Sequence, residues 1–299
     1  MRKKHQSGVS DRRSTDELIA AALAEIVAAD AEGDDPEQWK PMTALNALQT
    51  RGGQDVFARA KALCQSSEPI ERRLGASILG QLGAPRPASL ATAPFYAESV
   101  AILLEMLARE KNAATLGDIA IALGHRHDPR AIPLLIGLRD HPDAGVRFGV
   151  VFGLMAYEDA DAIKALIALS ADEDDDVRDW ATFALGSQIE TDTPAIREAL
   201  AARLTDANET VRGEALVGLA RRHDPRVNKP LLSELTDLLT TPPDEWGTLP
   251  FEAAEESGDP RFHAILMRLA AAWDATTIPH DWRYKGLRAA IQATTAENP

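Results

Sequence analysis

The chain has 299 residues, 45% of them apolar but only 5% aromatic, and a formal net charge of −14. A core can therefore be built, but from Ala, Leu, Ile and Val, a composition that suits closely packed helices. The negative balance argues against nucleic acid as the main partner, because phosphate contact needs a basic surface, and no stretch approaches the roughly 20 apolar residues of a membrane span.

Residues 1–13, MRKKHQSGVSDRR, are basic and polar with no apolar segment behind them. They predict a disordered tail and no secretory signal. Residues 14–36 predict an N-terminal capping helix: STDELIAAALAEIVAAD opens with Ser14 or Thr15 as cap, answered by Glu17. Cys64 lies in the helical pattern AKALCQ and reads as a buried small hydrophobe. As the one cysteine it fits a reducing cytoplasm, and a disulfide-free exported protein equally.

The rest, 37–299, predicts a solenoid of repeats. The segments ERRLGASILG, TLGDIAIALG, VRFGVVFGLM, VRDWATFALG and VRGEALVGLA align without gaps and end at residues 80, 124, 155, 186 and 220, spacings of 44, 31, 31 and 34. A weaker copy, TLPFEAAEES, occupies 248–257. After each block comes a turn such as HDPR (127–130 and 223–226) or GDPR (258–261), then a second helix such as AIKALIAL. Asp caps that helix and Pro suits its first turn. One such hairpin cannot bury its own apolar face, so neighbours must stack. The repeats are clearest over 68–240, with degenerate end repeats at 37–67 and 245–295. The long first spacing comes from GAPRPASLATAPFYAES (83–99), an inserted loop, and TTPPDEWGTLP (240–250) is a second irregular stretch. Both are candidate contact loops, the second through Trp246. Trp282 and Tyr284 on a last helix are expected to cover the final repeat.

VRDWATFALG and VRGEALVGLARRHDPR resemble HEAT repeats of the short bacterial, phycobilin-lyase-like type. That resemblance implies an all-α fold, an α-solenoid (superhelix) of about six to seven HEAT-like helical hairpins with helical end caps. It also implies that Arg72, Arg147, Arg178 and Arg212 form a structural ladder, each pairing with an acidic residue of a neighbouring repeat.

Within the alignment, Leu79, Leu123, Leu154, Leu185 and Leu219 form the core column. The column before it (Ile78, Ala122, Gly153, Ala184, Gly218) is mostly small, which lets helices approach closely. The third and fourth positions behave otherwise. They place Asp118, Trp180 and Glu214 in one stripe, with Phe148 and Asp179 one residue earlier. Carboxylates are expensive to bury, so the stripe is expected at a surface or groove, where an aromatic between acids suits a cationic partner.

Other chemistry is sparse. The run Asp172–Asp176 suits a helix start and lacks the ligand spacing of a calcium loop. His127 and His223 occupy equivalent turns about 20 Å apart, too far to share one ion. No metal and no cofactor are expected, and no phosphate loop, G-x-S-x-G or HExxH motif is present. The reading is a cytoplasmic, non-catalytic scaffold for a protein partner with a basic surface that complements the acidic stripe, as adaptor, regulator or immunity-type inhibitor. The alternative is a phycobilin-lyase-like or DNA-glycosylase-like HEAT enzyme.

Overall fold

Each hairpin starts where a short polar side chain turns back on the backbone. Asn112 accepts from Thr115 N, Asp174 from the amides of Asp176 and Val177, and Asn208 from those of Thr210 and Val211. The second helices of three hairpins open the same way: Asp128, Asp224 and Asp259 accept from the amide two residues on, and a proline follows each. These caps satisfy amides that no helical carbonyl can reach.

The computed structural model describes residues 11–32, 41–83, 94–274 and 282–295. Among them it is all α, with no strand. The chain forms two compact units that divide between Gly153 and Leu154. The first holds α1 (Thr15–Glu32), the hairpins α2 (Thr43–Arg51) with α3 (Gly53–Leu63), α4 (Pro69–Gln81) with α5 (Tyr96–Arg109), and α6 (Ala113–Arg126) with α7 (Ile132–Ile136), and nearly all of α8 (Ala144–Leu154). The second holds α9 (Ala160–Leu169), the hairpins α10 (Asp175–Phe183) with α11 (Pro194–Arg203), α12 (Glu209–Arg221) with α13 (Asn228–Asp237), and α14 (Leu249–Ser257) with α15 (His263–Asp274), and lastly α16 (Trp282–Ala293). The architecture of each is an α-solenoid of stacked hairpins.

The leucine column is the centre of the core: Leu79, Leu123, Leu154, Leu185 and Leu219 are fully buried. Small residues set the helix spacing around it. A Cβ added to Gly218 would lie 2.6 Å from the Gly186 Cα, and one added to Gly149 would lie 2.7 Å from the Gly117 carbonyl oxygen. Backbone cannot retreat as a side-chain tip can. Gly218→Ala is therefore expected to destabilise the second unit by about 1–3 kcal/mol, although alanine is the better helix former. Urea unfolding checks it; a stabilised variant would mean the helices part at no cost.

Helix α1 closes the first unit. Ser14 and Glu17 cap each other reciprocally, Ser14 N to Glu17 Oε2 at 2.6 Å and Glu17 N to Ser14 Oγ at 3.2 Å. Glu25 accepts from the Ala44 amide at 2.9 Å and so caps α2.

Several expectations change. Of the tail assigned to 1–13, residues 1–10 lie outside the described residues, but 11–13 are not free in solvent: Arg51 Nη2 donates to the carbonyls of Asp11 and Arg13 at 2.9 and 2.7 Å. Residues 33–36 of the capping segment and 84–93 of the inserted loop also lie outside the described residues. At that loop's exit, Phe95 stacks on Phe57 at 4.5 Å. Trp246 is no contact residue: it is 3% exposed, packs on Trp273 and donates Nε1–H to the Thr241 carbonyl at 2.8 Å. A large indole with its N–H satisfied fills the core more favourably than it would face water. At the C-terminal end, Tyr284 stacks on Trp273, whereas Trp282 is 66% exposed and does not cover the repeat. Successive helical positions point about 100° apart, so both could not face inward.

Candidate functional site

In the second unit α10, α12 and α14 pack side by side. Each contributes one carboxylate to a row: Asp179, Glu214 and Glu252. Asp179 and Glu214 are half-buried, and Glu252 stands at the exposed edge. Burial and the nearby Asp176 push Asp179 up to about 6. Burial, with Asp179 on one side and Glu252 on the other, pushes Glu214 up to about 8. Partial burial and the adjacent Glu256 and Glu255 raise Glu252, with Arg221 opposing. Asp179 Oδ1 is shut off from solvent and accepts no hydrogen bond. Among the described residues none of the three forms an ion pair. Like charges on consecutive helices of a partly dry surface raise one another's proton affinity.

Trp180 follows Asp179 on α10. It is 36% exposed and meets Phe183, one helical turn on, edge to face at 5.7 Å. The repeat alignment puts Trp180 level with Glu214; in three dimensions Asp179 is the acid that acts on Glu214. The alignment also sets Phe251 in that column, but Phe251 is fully buried and its neighbour Glu252 takes the place beside Glu214.

Asp118 and Phe148 belong to the first unit. Asp118 has a counter-ion within the chain: Arg73 donates Nε–H to Asp118 Oδ2 at 2.8 Å and reaches Asp30 at 2.6 Å. Burial raises the Asp118 carboxyl while Arg73 opposes the rise. Phe148 is half-buried on α8. The structure thus brings Asp179 and Glu214 together and gives Asp118 a separate setting.

The arginine column has a fixed geometry. Through Nη1, Arg72 donates to the carbonyls of Ser66 and Ser67, Arg147 to those of His141 and Pro142, Arg178 to those of Asp172 and Glu173, and Arg212 to those of Asp206 and Ala207. In every case the acceptors lie six and five residues back, across the turn between hairpins. Arg72, Arg178 and Arg212 also reach an acid further along the chain: Arg72 meets Glu110 at 2.7 Å, Arg178 meets Asp206 at 3.2 Å and Arg212 meets Glu234 at 3.2 Å.

Two overlapping segments, 100–186 and 167–248, match HEAT repeats. Protein YibA of Escherichia coli strain K12 is 30% identical over 277 residues, which span 82% of this chain and 85% of YibA. The chain belongs to the HEAT-repeat family. The X-ray structure of Escherichia coli YibA superposes with a TM-score of 0.64 at 26% identity, covering 98% of both chains. An engineered protein shares the fold alone, with a TM-score of 0.51 at 20% identity over 95% of this chain and 76% of that one.

Two features of these HEAT repeats escaped the sequence reading. One is Glu252. The other is an arginine before each HDPR turn. Arg126 is buried and donates Nε–H to the Leu79 carbonyl at 2.6 Å. Arg222 donates to the carbonyls of Leu185, Gly186, Gly218 and Ile189 at 2.8–3.0 Å. Leu79 and Leu185 occupy the same repeat column, so both arginines clasp the last turn of the preceding hairpin's first helix. The signal was present as R-H-D-P-R at 126–130 and 222–226. Within those turns His127 and His223 are left-handed (φ 52° and 48°), as Gly258 is (φ 59°) in the third copy. They act as helix stops. Among the described residues no three His, Cys, Asp or Glu side chains gather as metal ligands, and no helix is long and apolar enough to cross a membrane.

Proposed function

We propose that this HEAT-repeat chain is a cytoplasmic, non-catalytic scaffold that binds a protein with a basic surface, as adaptor, regulator or immunity-type inhibitor. The observation that carries the reading is the row Asp179, Glu214, Glu252, three neighbouring carboxylates with no ion pair of their own among the described residues. A guanidinium or ammonium at the row would displace the proton that Glu214 retains and pair with the carboxylates there. Trp180 offers an exposed ring beside it for the same cation. Asp118 and Phe148 are candidate contacts of the first unit, but Asp118 already meets Arg73, so the second unit carries more of the interaction. Arg72, Arg147, Arg178 and Arg212 are assigned to spacing the repeats rather than to ligand contact. The net charge of −14 would steer a basic partner and make the encounter salt-sensitive.

Titration calorimetry of the full chain with an arginine-rich peptide, at low and at physiological salt, tests the reading. Trp180→Ala is expected to weaken binding several-fold, and Glu214→Arg by about tenfold or more. If both variants bind as the wild type does, the row is not the interface.

A further inference from the structure

We propose that a cleft in the first unit binds a small molecule through an oxyanion, a phosphoryl or carboxylate group, held by Lys111 and Arg109. The cleft, open to solvent, has a volume of about 450 Å³ beside the turn after α3 and the end of α5, and Ser66, Arg72, Arg109, Glu110 and Lys111 line it. That volume suits a metabolite-sized ligand.

The charged side chains of the lining favour an anion. Helix C-termini normally offer carbonyls, which would favour a cation. Here several of those carbonyls are engaged. Ala60, Ala62 and Leu63 accept from the amides of Cys64, Gln65 and Ser66, and Met106 accepts from that of Glu110. Arg72 takes the carbonyls of Ser66 and Ser67. The one carboxylate lining the cleft is engaged too: Glu110 accepts from Arg72 Nε and Nη2 and from the amides of Lys111 and Asn112. Although burial alone would raise it, those donors hold Glu110 down at about 2. The thiol of Cys64 adds no anion, since burial pushes it up to about 12.

Donors remain. Lys111 forms no ion pair among the described residues. Arg109 spends one amino group on Glu105 in an exposed i,i+4 pair at 2.9 Å, a weak contact that a multiply charged anion can displace. With Arg72 and Glu110 paired to each other, Arg109 and Lys111 are the cations left over, and they make this cleft positive in a chain of net charge −14. A cleft concentrates that field. The inference does not depend on the carboxylate row of the second unit.

Thermal unfolding of the full chain in sodium pyrophosphate, against sodium chloride at equal ionic strength, provides the test. The midpoint is expected to rise with pyrophosphate and not with chloride. The double variant Arg109→Gln/Lys111→Gln is expected to bind pyrophosphate about tenfold more weakly by calorimetry. Both side chains are exposed, so its unliganded midpoint should match the wild type. Citrate in a parallel arm distinguishes the two sources: the tighter of the two anions identifies a phosphoryl or a carboxylate ligand. Equal effects of chloride and both anions, or undiminished binding by the double variant, would overturn the proposal.

Discussion

Arg222→Met is expected to destabilise the second unit by about 3 kcal/mol, the cost of leaving several buried carbonyls without a donor. Methionine keeps an unbranched apolar stem out to the ε position, so the packing around the stem changes little. What disappears is a guanidinium, its side chain 7% exposed, that ties together four carbonyls from two helices and the turn between them. Three of those, on Leu185, Gly186 and Ile189, belong to or follow the five-residue π turn Ala184–Gln188 that ends α10. The last carbonyls of a helix have no following amide to accept from, so the arginine supplies the missing donors. Lysine is expected to recover little, because one ammonium cannot span the fork. Tryptophan fluorescence during urea unfolding reads mainly the second unit, since Trp180, Trp246, Trp273 and Trp282, four of the five tryptophans, lie there. A loss below about 1 kcal/mol would mean that water replaces the arginine.

The period of the chain was legible because the physics behind it is local. Helical hairpins repeat a leucine, a small residue and a capped turn, and each leaves a mark at fixed spacing. Leu185, Gly218, Asp174 and Asp224 could be placed this way. Features that depend on the fit between neighbouring repeats were less visible. Arg73 and Asp118 are 45 residues apart with no motif between them. Glu252 escaped because the last copy is divergent and its alignment favours Phe251, which burial draws into the core. Trp246 lies in a segment rich in proline that reads as a surface loop, yet an indole with an internal acceptor is worth more inside. The histidines of the HDPR turns, too far apart to share an ion, serve backbone geometry: the left-handed residue that ends a helix can be glycine, as Gly258 shows, or histidine.

Glu214→Gln is expected to stabilise the second unit by about 2 kcal/mol at pH 8 and to change little near pH 4, a partial return on the shift because the site is half-open to water. Glu214 holds its proton up to about 8, against an ordinary 4.5, and Asp179 up to about 6, against 3.8. The folded chain therefore binds protons that the unfolded chain has released, and stability falls as pH rises across that interval. The contribution is complete below the unfolded values and lost once pH passes the folded ones. The acid limb has the opposite sign. Arg226 holds Asp224 down at about 2, so its contribution is present above 3.8 and lost as pH drops toward 2. Stability of this unit should peak at about pH 4, where the Asp224 contribution is complete and Glu214 has not yet begun to cost, and Glu214→Gln should flatten its alkaline side. The same carboxyl links stability to binding. A cationic side chain in the row lowers the proton affinity of Glu214, so at pH 7 the complex forms with proton release. Calorimetry in buffers of different ionisation enthalpy would register that release, and Glu214→Gln would reduce it. If Glu214→Gln instead destabilised the unit at pH 8, Glu214 would have a cation of its own within the fold, and the row would lose its reason to attract one from outside.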